Sequence, residues 1–200
     1  MSWVQVPPGP PSISSIKTSL RRSLLFAILE GVNILIIGHP GSGKTYLANL
    51  LSRKLKTEKV DIDVLFDKHP FYAFSKKQYE KALNRLLDSK KNWVIDGYHV
   101  GLMPDKLFMQ ADTIIYLNFP KKELRSNVLA RYHAVRASGE SSHWQSVRIN
   151  NLKNFAQIRY QDRALQKDLV RIKNLISGRT RFIELKSRDD IDKFSSIFPE

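Results

Sequence analysis

Gly38-His39-Pro40-Gly41-Ser42-Gly43-Lys44-Thr45 is the stretch from which the fold can be read, because of what stands on either side of it. Before it, Asn33 to Ile37 is a short continuous apolar run rich in β-branched residues, as expected of a buried central parallel strand. After it, Thr45 to Leu55 places Leu47, Leu50, Leu51 and Leu55 at helical spacing. The octapeptide fits G-x-x-x-x-G-K-[ST] at every fixed position, and a strand-to-helix turn is the context that this pattern requires. Gly38, Gly41 and Gly43, with Ser42 between them, let backbone N–H groups curl around a phosphate, and the helix opening near Lys44 adds its positive end. Lys44 can then reach β- and γ-phosphate oxygens, and Thr45 can give its hydroxyl to Mg²⁺. The stretch implies a bound nucleoside triphosphate, read as ATP, together with Mg²⁺.

Outward from the loop, strands and helices alternate. Val60 to Leu65 predicts a second strand, Ser75 to Ser89 a helix, Trp93 to Ile95 a third strand ending on Asp96-Gly97, and Thr113 to Asn118 a fourth. Lys121 to Arg136 predicts a helix, Ala137 to Ser142 a loop signalled by Ser138-Gly139, and Asn150 to Leu175 a long basic helix. Arg181 to Leu185 and Asp189 to Phe198 close the chain as a fifth strand and a helix. The expectation is a three-layer α/β P-loop NTPase fold: a central parallel five-stranded sheet, helices on both faces and a short helical lid.

The 200 residues suffice for one domain with one core, assigned to residues 20–200, with a helix over Leu20 to Glu30 at its start. Residues 1–19 are rich in Pro, Ser and Gly and read as a disordered tail. The chain has no Cys, which excludes disulfide frameworks and thiolate metal sites, and Met1 to Ser12 lacks the pattern of a secretion signal. Its longest apolar stretch, Leu24 to Ile37, is broken by Glu30, Gly31 and Asn33, so no membrane span is expected, and the location is read as cytoplasmic. The formal net charge is +14, and Lys121 to Arg188 holds 16 Lys+Arg against 5 Asp+Glu, a local balance of +11. Such a surface favours polyanionic partners: nucleotides, and nucleic acid as an alternative.

A phosphate loop alone leaves the acceptor open, and two acidic segments bear on it. Asp61 and Asp63, two positions apart on the second predicted strand, point the same way at the strand end nearest the loop. Asp63 is assigned as the base that takes the acceptor's proton and Asp61 as its support or a Mg²⁺-water contact on the substrate side, with a weaker claim for Asp67. Asp96 follows a hydrophobic run and is assigned to a Mg²⁺-bound water. Gly97 would let the acceptor approach the backbone, and Tyr98 and His99 could line its pocket. Phosphoryl transfer also needs cations that close over the developing charge. Arg125, Arg131 and Arg136 flank the predicted lid, and Arg159 and Arg163 share a helix face; Arg131, Arg159 and Arg163 are assigned to the phosphate clamp, and Arg125 to substrate.

With these residues in place, the sequence resembles the adenylate-kinase-like P-loop kinases, and among them the small DNA topology modulation proteins. The likeness spans roughly Ile34 to Phe194 and is carried by five features. These are the Gly38 to Thr45 loop, Asp63-Val64-Leu65-Phe66, Trp93-Val94-Ile95-Asp96-Gly97, Ala111-Asp112-Thr113-Ile114-Ile115-Tyr116-Leu117, and Arg159 with Arg163. The resemblance implies ATP, Mg²⁺ and a small phosphoryl acceptor, a nucleotide or related metabolite. Tyr98-His99 stands where that family usually has Asn-Tyr, and the tail before Leu20 has no counterpart there. The competing expectations are a nucleic-acid-associated ATP-binding protein, suggested by the charge, and a polynucleotide 5′-hydroxyl kinase using Asp63 as base.

Overall fold

The computed structural model describes residues 32–62, 76–97, 100–138, 155–176 and 178–198. In chain order the strands are β1 Asn33–Gly38, β2 Lys59–Asp61, β3 Trp93–Gly97, β4 Thr113–Leu117 and β5 Arg181–Leu185. The helices are α1 Lys44–Lys54, α2 Lys76–Ser89, α3 Asp105–Gln110, α4 Lys121–Ser138, α5 Phe155–Leu175 and α6 Arg188–Ser195. The five strands form one sheet in the order β2-β3-β1-β4-β5, and every pairing is parallel.

The apolar run that predicted β1 is apolar throughout because both of its faces are covered. Leu35 and Ile37 join Ile95, Ile114, Tyr116 and residues of α2, α3 and α5 in one core, while Ile34 and Ile36 join Val94, Ile115, Leu117 and residues of α1 and α6 in the other. The period of two along a strand sorts alternate residues to opposite layers, and a central parallel strand has no solvent side. The three-layer parallel sheet expected from the sequence is the fold observed.

Several boundaries differ from expectation. The strand expected over Val60 to Leu65 ends at Asp61, because β2 is an edge strand that pairs with β3 only through Lys59↔Val94, Val60↔Ile95 and Asp61↔Asp96. Ile62 already leaves the ladder and is buried against Gly97. The expected loop at Ala137 starts too early: α4 runs through Ser138, and Ala137 is a strong helix former. Between β3 and β4 the sequence reading missed a 3₁₀ turn, Val100–Leu102, and α3, whose six residues are too few to show a period. The tail over residues 1–19, the helix over Leu20 to Glu30 and the lid residues from Gly139 to Ser142 lie outside the described residues.

The last helix is fastened at its start. Ser187 Oγ accepts from Asp190 N at 3.1 Å, and Asp190 Oδ2 accepts from Lys186 N at 2.9 Å, a reciprocal cap that satisfies backbone donors at the helix entrance. Ile191 of α6 then lies 3.9 Å from where a Cβ on Gly43 would stand, so this cap helps to position the floor of the phosphate loop. Ser187→Ala is expected to cost about 1 kcal/mol in urea unfolding, and Ser187→Asp to recover most of it.

Candidate functional site: the phosphate loop and the ends of β1 and β3

β1 ends at Gly38 and α1 begins at Lys44, so the loop between them sits at the carboxyl edge of the sheet, where open parallel α/β sheets bind ligands. Gly41 and Gly43 have φ of 84° and 87°, the left-handed region in which glycine carries no penalty. Alternation of such residues with right-handed neighbours turns successive N–H groups inward, forming a nest for an anion. Space as well as conformation holds Gly41: a Cβ there would lie 2.6 Å from the carbonyl oxygen of Leu124 on α4. Asn127 of the same helix donates from Nδ2 to the Gly41 carbonyl at 2.9 Å. The start of α1 has no side-chain cap and no acidic residue in its first turn. Its first N–H groups and the positive end of its dipole are thus left for a ligand.

Lys44 is buried, 7% exposed, and its Nζ donates to the His39 carbonyl at 3.0 Å. Thr45 donates from Oγ1 to Asp96 Oδ2 at 2.8 Å. The other oxygen, Asp96 Oδ1, is buried without a hydrogen-bond partner, and so is Ser42 Oγ. Asp61 stands opposite Asp96 in the β2–β3 register. Burial pushes the Asp96 carboxyl above its ordinary range and Asp61 adds to the effect, against the opposing pull of the Thr45 hydrogen bond, Lys59 and Lys44. A glycine cradle, a buried cation reaching along it, and a hydroxyl paired with a carboxylate that keeps one oxygen unshared suit a polyphosphate chelated to a hard divalent ion. Such an ion takes few protein oxygens and retains several waters. Among the described residues there is no group of three His, Asp or Glu that would make a self-sufficient metal cage.

The structure thus brings together Gly38, Gly41, Ser42, Gly43, Lys44, Thr45, Asp61 and Asp96. For Gly97 it shows a packing reason: a Cβ would lie 3.0 Å from Met103 Cε and 3.2 Å from Ile62 Cβ. Arg125 and Arg131 are exposed on α4. Arg131 continues, at helical spacing, the stripe of Leu124, Asn127 and Val128 that faces the loop. Arg163 is exposed on α5, and Arg159 lies nearer that helix's start. Asp63, Asp67, Tyr98, His99 and the side chains of Arg136 and Arg159 lie outside the described residues.

Three neighbours of the loop were missed in the sequence. Asn127 contacts a residue 86 positions away and has no local signature. Lys59 places Nζ 3.7 Å from Asp96 Oδ1, and its position two residues before Asp61 was the available clue. Arg188 lies over the ring of Tyr46 at 4.6 Å, tying the start of α6 to the residue after Thr45.

A parallel sheet whose first strand empties into a glycine cradle and a helix start is the architecture of the P-loop α/β proteins. This chain belongs to the AAA domain family, whose model matches residues 34–145. Two solved structures similar to it are shikimate kinases. One is from Acinetobacter baumannii in complex with shikimate, with TM-score 0.48, 16% identity, and coverage of 84% of this chain and 91% of that one. The other is from Bacteroides thetaiotaomicron, with TM-score 0.48, 17% identity, and coverage of 82% and 94%. No curated protein matches the chain. No helix among the described residues is long and apolar enough to cross a membrane.

The raised Asp96 carboxyl fixes the sign of a stability test. With the folded value above the unfolded one, the stabilising contribution is complete below the ordinary carboxyl value of about 3.9 and is lost as pH rises through the folded value. Ionised Asp96 therefore burdens the ligand-free fold at neutral pH. Asp96→Asn is expected to raise the melting temperature at pH 7, to lose that advantage at pH 3.5 (roughly the protonated limit), and to weaken Mg²⁺-dependent nucleotide binding; scanning calorimetry and nucleotide titration check the two halves separately.

Proposed function

We propose that this chain is an ATP- and Mg²⁺-dependent phosphotransferase that moves the γ-phosphoryl group onto a small acceptor, a nucleotide or related metabolite. The observation that carries the reading is the Thr45–Asp96 hydrogen bond beneath the glycine cradle, with buried Lys44 beside it. It assembles the phosphate side of such a reaction from three elements of the sheet edge. The narrower likeness to the DNA topology modulation proteins supports the small-acceptor part of the proposal through the strings Trp93 to Gly97 and Ala111 to Leu117.

On this reading the backbone N–H groups of the loop and the start of α1 hold the β-phosphate. Lys44 exchanges its bond to the neutral His39 carbonyl for anionic phosphate oxygens, a stronger acceptor, and the buried ammonium is hydrogen-bonded in both states. Thr45, through its hydroxyl, and Asp96, through the oxygen it does not share with Thr45 and one of the ion's waters, would hold Mg²⁺. Bound Mg²⁺ supplies charge neutralisation on the transferring phosphoryl group. Asp63, two positions beyond Asp61, takes the proton from the attacking hydroxyl, and Asp61, Gly97, Tyr98 and Arg125 hold the acceptor. Arg131, Arg159 and Arg163 close on the equatorial oxygens and exclude water, which would otherwise compete as acceptor.

The test supplies γ-labelled ATP and Mg²⁺ with a panel of nucleosides, nucleoside monophosphates, small hydroxylated metabolites and 5′-hydroxyl oligonucleotides. Label is expected on one small acceptor. Lys44→Ala should lower turnover by roughly two to three orders of magnitude, as for loss of one well-placed charge-stabilising group. Asp63→Asn should lower kcat with little change in nucleotide affinity. Label on the oligonucleotide would move the assignment to a polynucleotide 5′-hydroxyl kinase, and label released only to water would end the phosphotransferase reading.

A further inference from the structure

Asp96 is 2% exposed, and its two oxygens are unequally served. Oδ2 takes the Thr45 hydroxyl at 2.8 Å, whereas Oδ1 accepts no hydrogen bond. What stands near Oδ1 is the ammonium of Lys59, at 3.7 Å: close enough for strong attraction in a protein interior, too far for a hydrogen bond. Lys59 comes from the edge strand, and its side chain is 20% exposed, so it has a route to solvent. Strand alternation explains how it gets there. Val60 points into the core beneath the sheet with Ile95, so Lys59 and Asp61 share the opposite face with Asp96, the face on which α1 lies.

Among the described residues two carboxylates, Asp61 and Asp96, and two ammonium groups, Lys44 and Lys59, therefore meet at the ends of β2, β3 and the loop, and the formal charges of these four cancel. Lys44 lies along the glycine cradle, bonded to the His39 carbonyl. Among the described residues the ion-pair partner of Lys59 is Asp96, not a group of the cradle. A divalent ion held between Thr45 and Asp96 needs the same unshared oxygen that Lys59 faces.

We propose that Lys59 is a resident counter-ion: it takes the electrostatic place of the divalent cation at Asp96 while the site is empty, withdraws toward solvent when the metal enters, and thereby sets the metal affinity of the site. The inference rests on the phosphate-loop reading above and deepens it by naming a residue that tunes metal binding without touching nucleotide. It separates Lys59 from an ordinary structural lysine by the signs of two effects. Removing the charge weakens the empty protein, because Asp96 loses its neutralising partner. The same change strengthens metal binding, because the incoming ion no longer has to displace a positive charge. A lysine that only holds β2 against β3 would weaken both together.

The experiment compares wild type, Lys59→Met and Lys59→Arg, first as metal-free proteins by thermal melting, then with saturating ADP titrated with Mn²⁺, counting free Mn²⁺ by electron paramagnetic resonance. Lys59→Met is expected to melt lower than wild type without metal yet to bind Mn²⁺ roughly three- to tenfold more tightly, the effect of removing one partly solvated charge a few ångströms away. Lys59→Arg, which keeps the charge, is expected to bind as wild type does. Lys59→Gln makes the same charge change with a shorter polar side chain and stands in should Lys59→Met fail to fold. Unchanged or weaker Mn²⁺ binding in the neutral variants, with ADP still bound, would overturn the Lys59 inference alone. Failure of wild type to bind ADP would overturn the phosphate-loop reading itself.

Discussion

The hydrogen bond from Thr45 to Asp96 is the contact on which the rest of the site depends, since it joins residues 51 positions apart where the start of α1 meets the end of β3. It is possible only because of the strand order. With β2 displaced to the edge, β3 lies directly beside β1, and the register sets Ile36 against Asp96 and Ile37 against Gly97. Had the strands followed chain order, β2 would separate the loop from that carboxylate. On the other side of β1 the register sets Gly38 against Leu117, whose carbonyl lies 2.7 Å from where a Cβ on Gly38 would stand. The loop is thus held by β3 on one side, β4 on the other and α4 from above through Asn127.

That scaffold supports an arrangement that stability alone would not select. A lysine that has given up water for a backbone carbonyl, a buried carboxylate with one oxygen that accepts no hydrogen bond, and a helix start without a side-chain cap each cost the ligand-free fold stability. The surrounding layers offset this cost with side chains that are almost wholly buried, among them Trp93, Phe108, Leu35, Ile36 and Leu47. Placing strained electrostatics at the edge of a rigid sheet fixes the donors before a ligand arrives, so little reorganisation is left for the moment of binding.

The sequence disclosed what depends on short-range pattern. The continuous apolar strands betrayed a doubly covered sheet, and the glycine spacing betrayed the cradle, because one is a matter of period and the other of local backbone geometry. The length of β2 was less legible, since an edge strand stops where its single neighbour opens into the site, and that neighbour is more than thirty residues on. α3 escaped because six residues make fewer than two turns. Asn127 and Lys59 escaped for a different reason. Each is an ordinary polar residue on a regular element, and its significance is created by the partner that topology sets beside it: the Gly41 carbonyl for one, Asp96 for the other.

The same distinction bears on the strings that suggested a narrower family. All five residues of β3 and all five of β4 are buried, so Trp93-Val94-Ile95 and Thr113 to Leu117 are shaped first by packing between two helical layers. Within those strings Asp96 meets the loop through the Thr45 hydroxyl, and Leu117 lies beside Gly38. Beyond β3 the chain is secured by a different device. Arg171 of α5 donates from Nε to Asp105 Oδ1 at 3.0 Å and from Nη2 to the Met103 carbonyl at 3.1 Å, while its guanidinium lies over Phe108 at 5.5 Å. Gly101 leaves room beside Asp168 one turn earlier on α5, where a Cβ would come within 3.3 Å of a carboxylate oxygen. The helix that carries Arg159 and Arg163 is therefore pinned to the segment that follows Asp96 and Gly97. Any shift of this stretch of α5 relative to the end of β3 must either break the Arg171 fork or bend the helix between Arg163 and Arg171, which makes its placement a property of the core rather than of the loops around it.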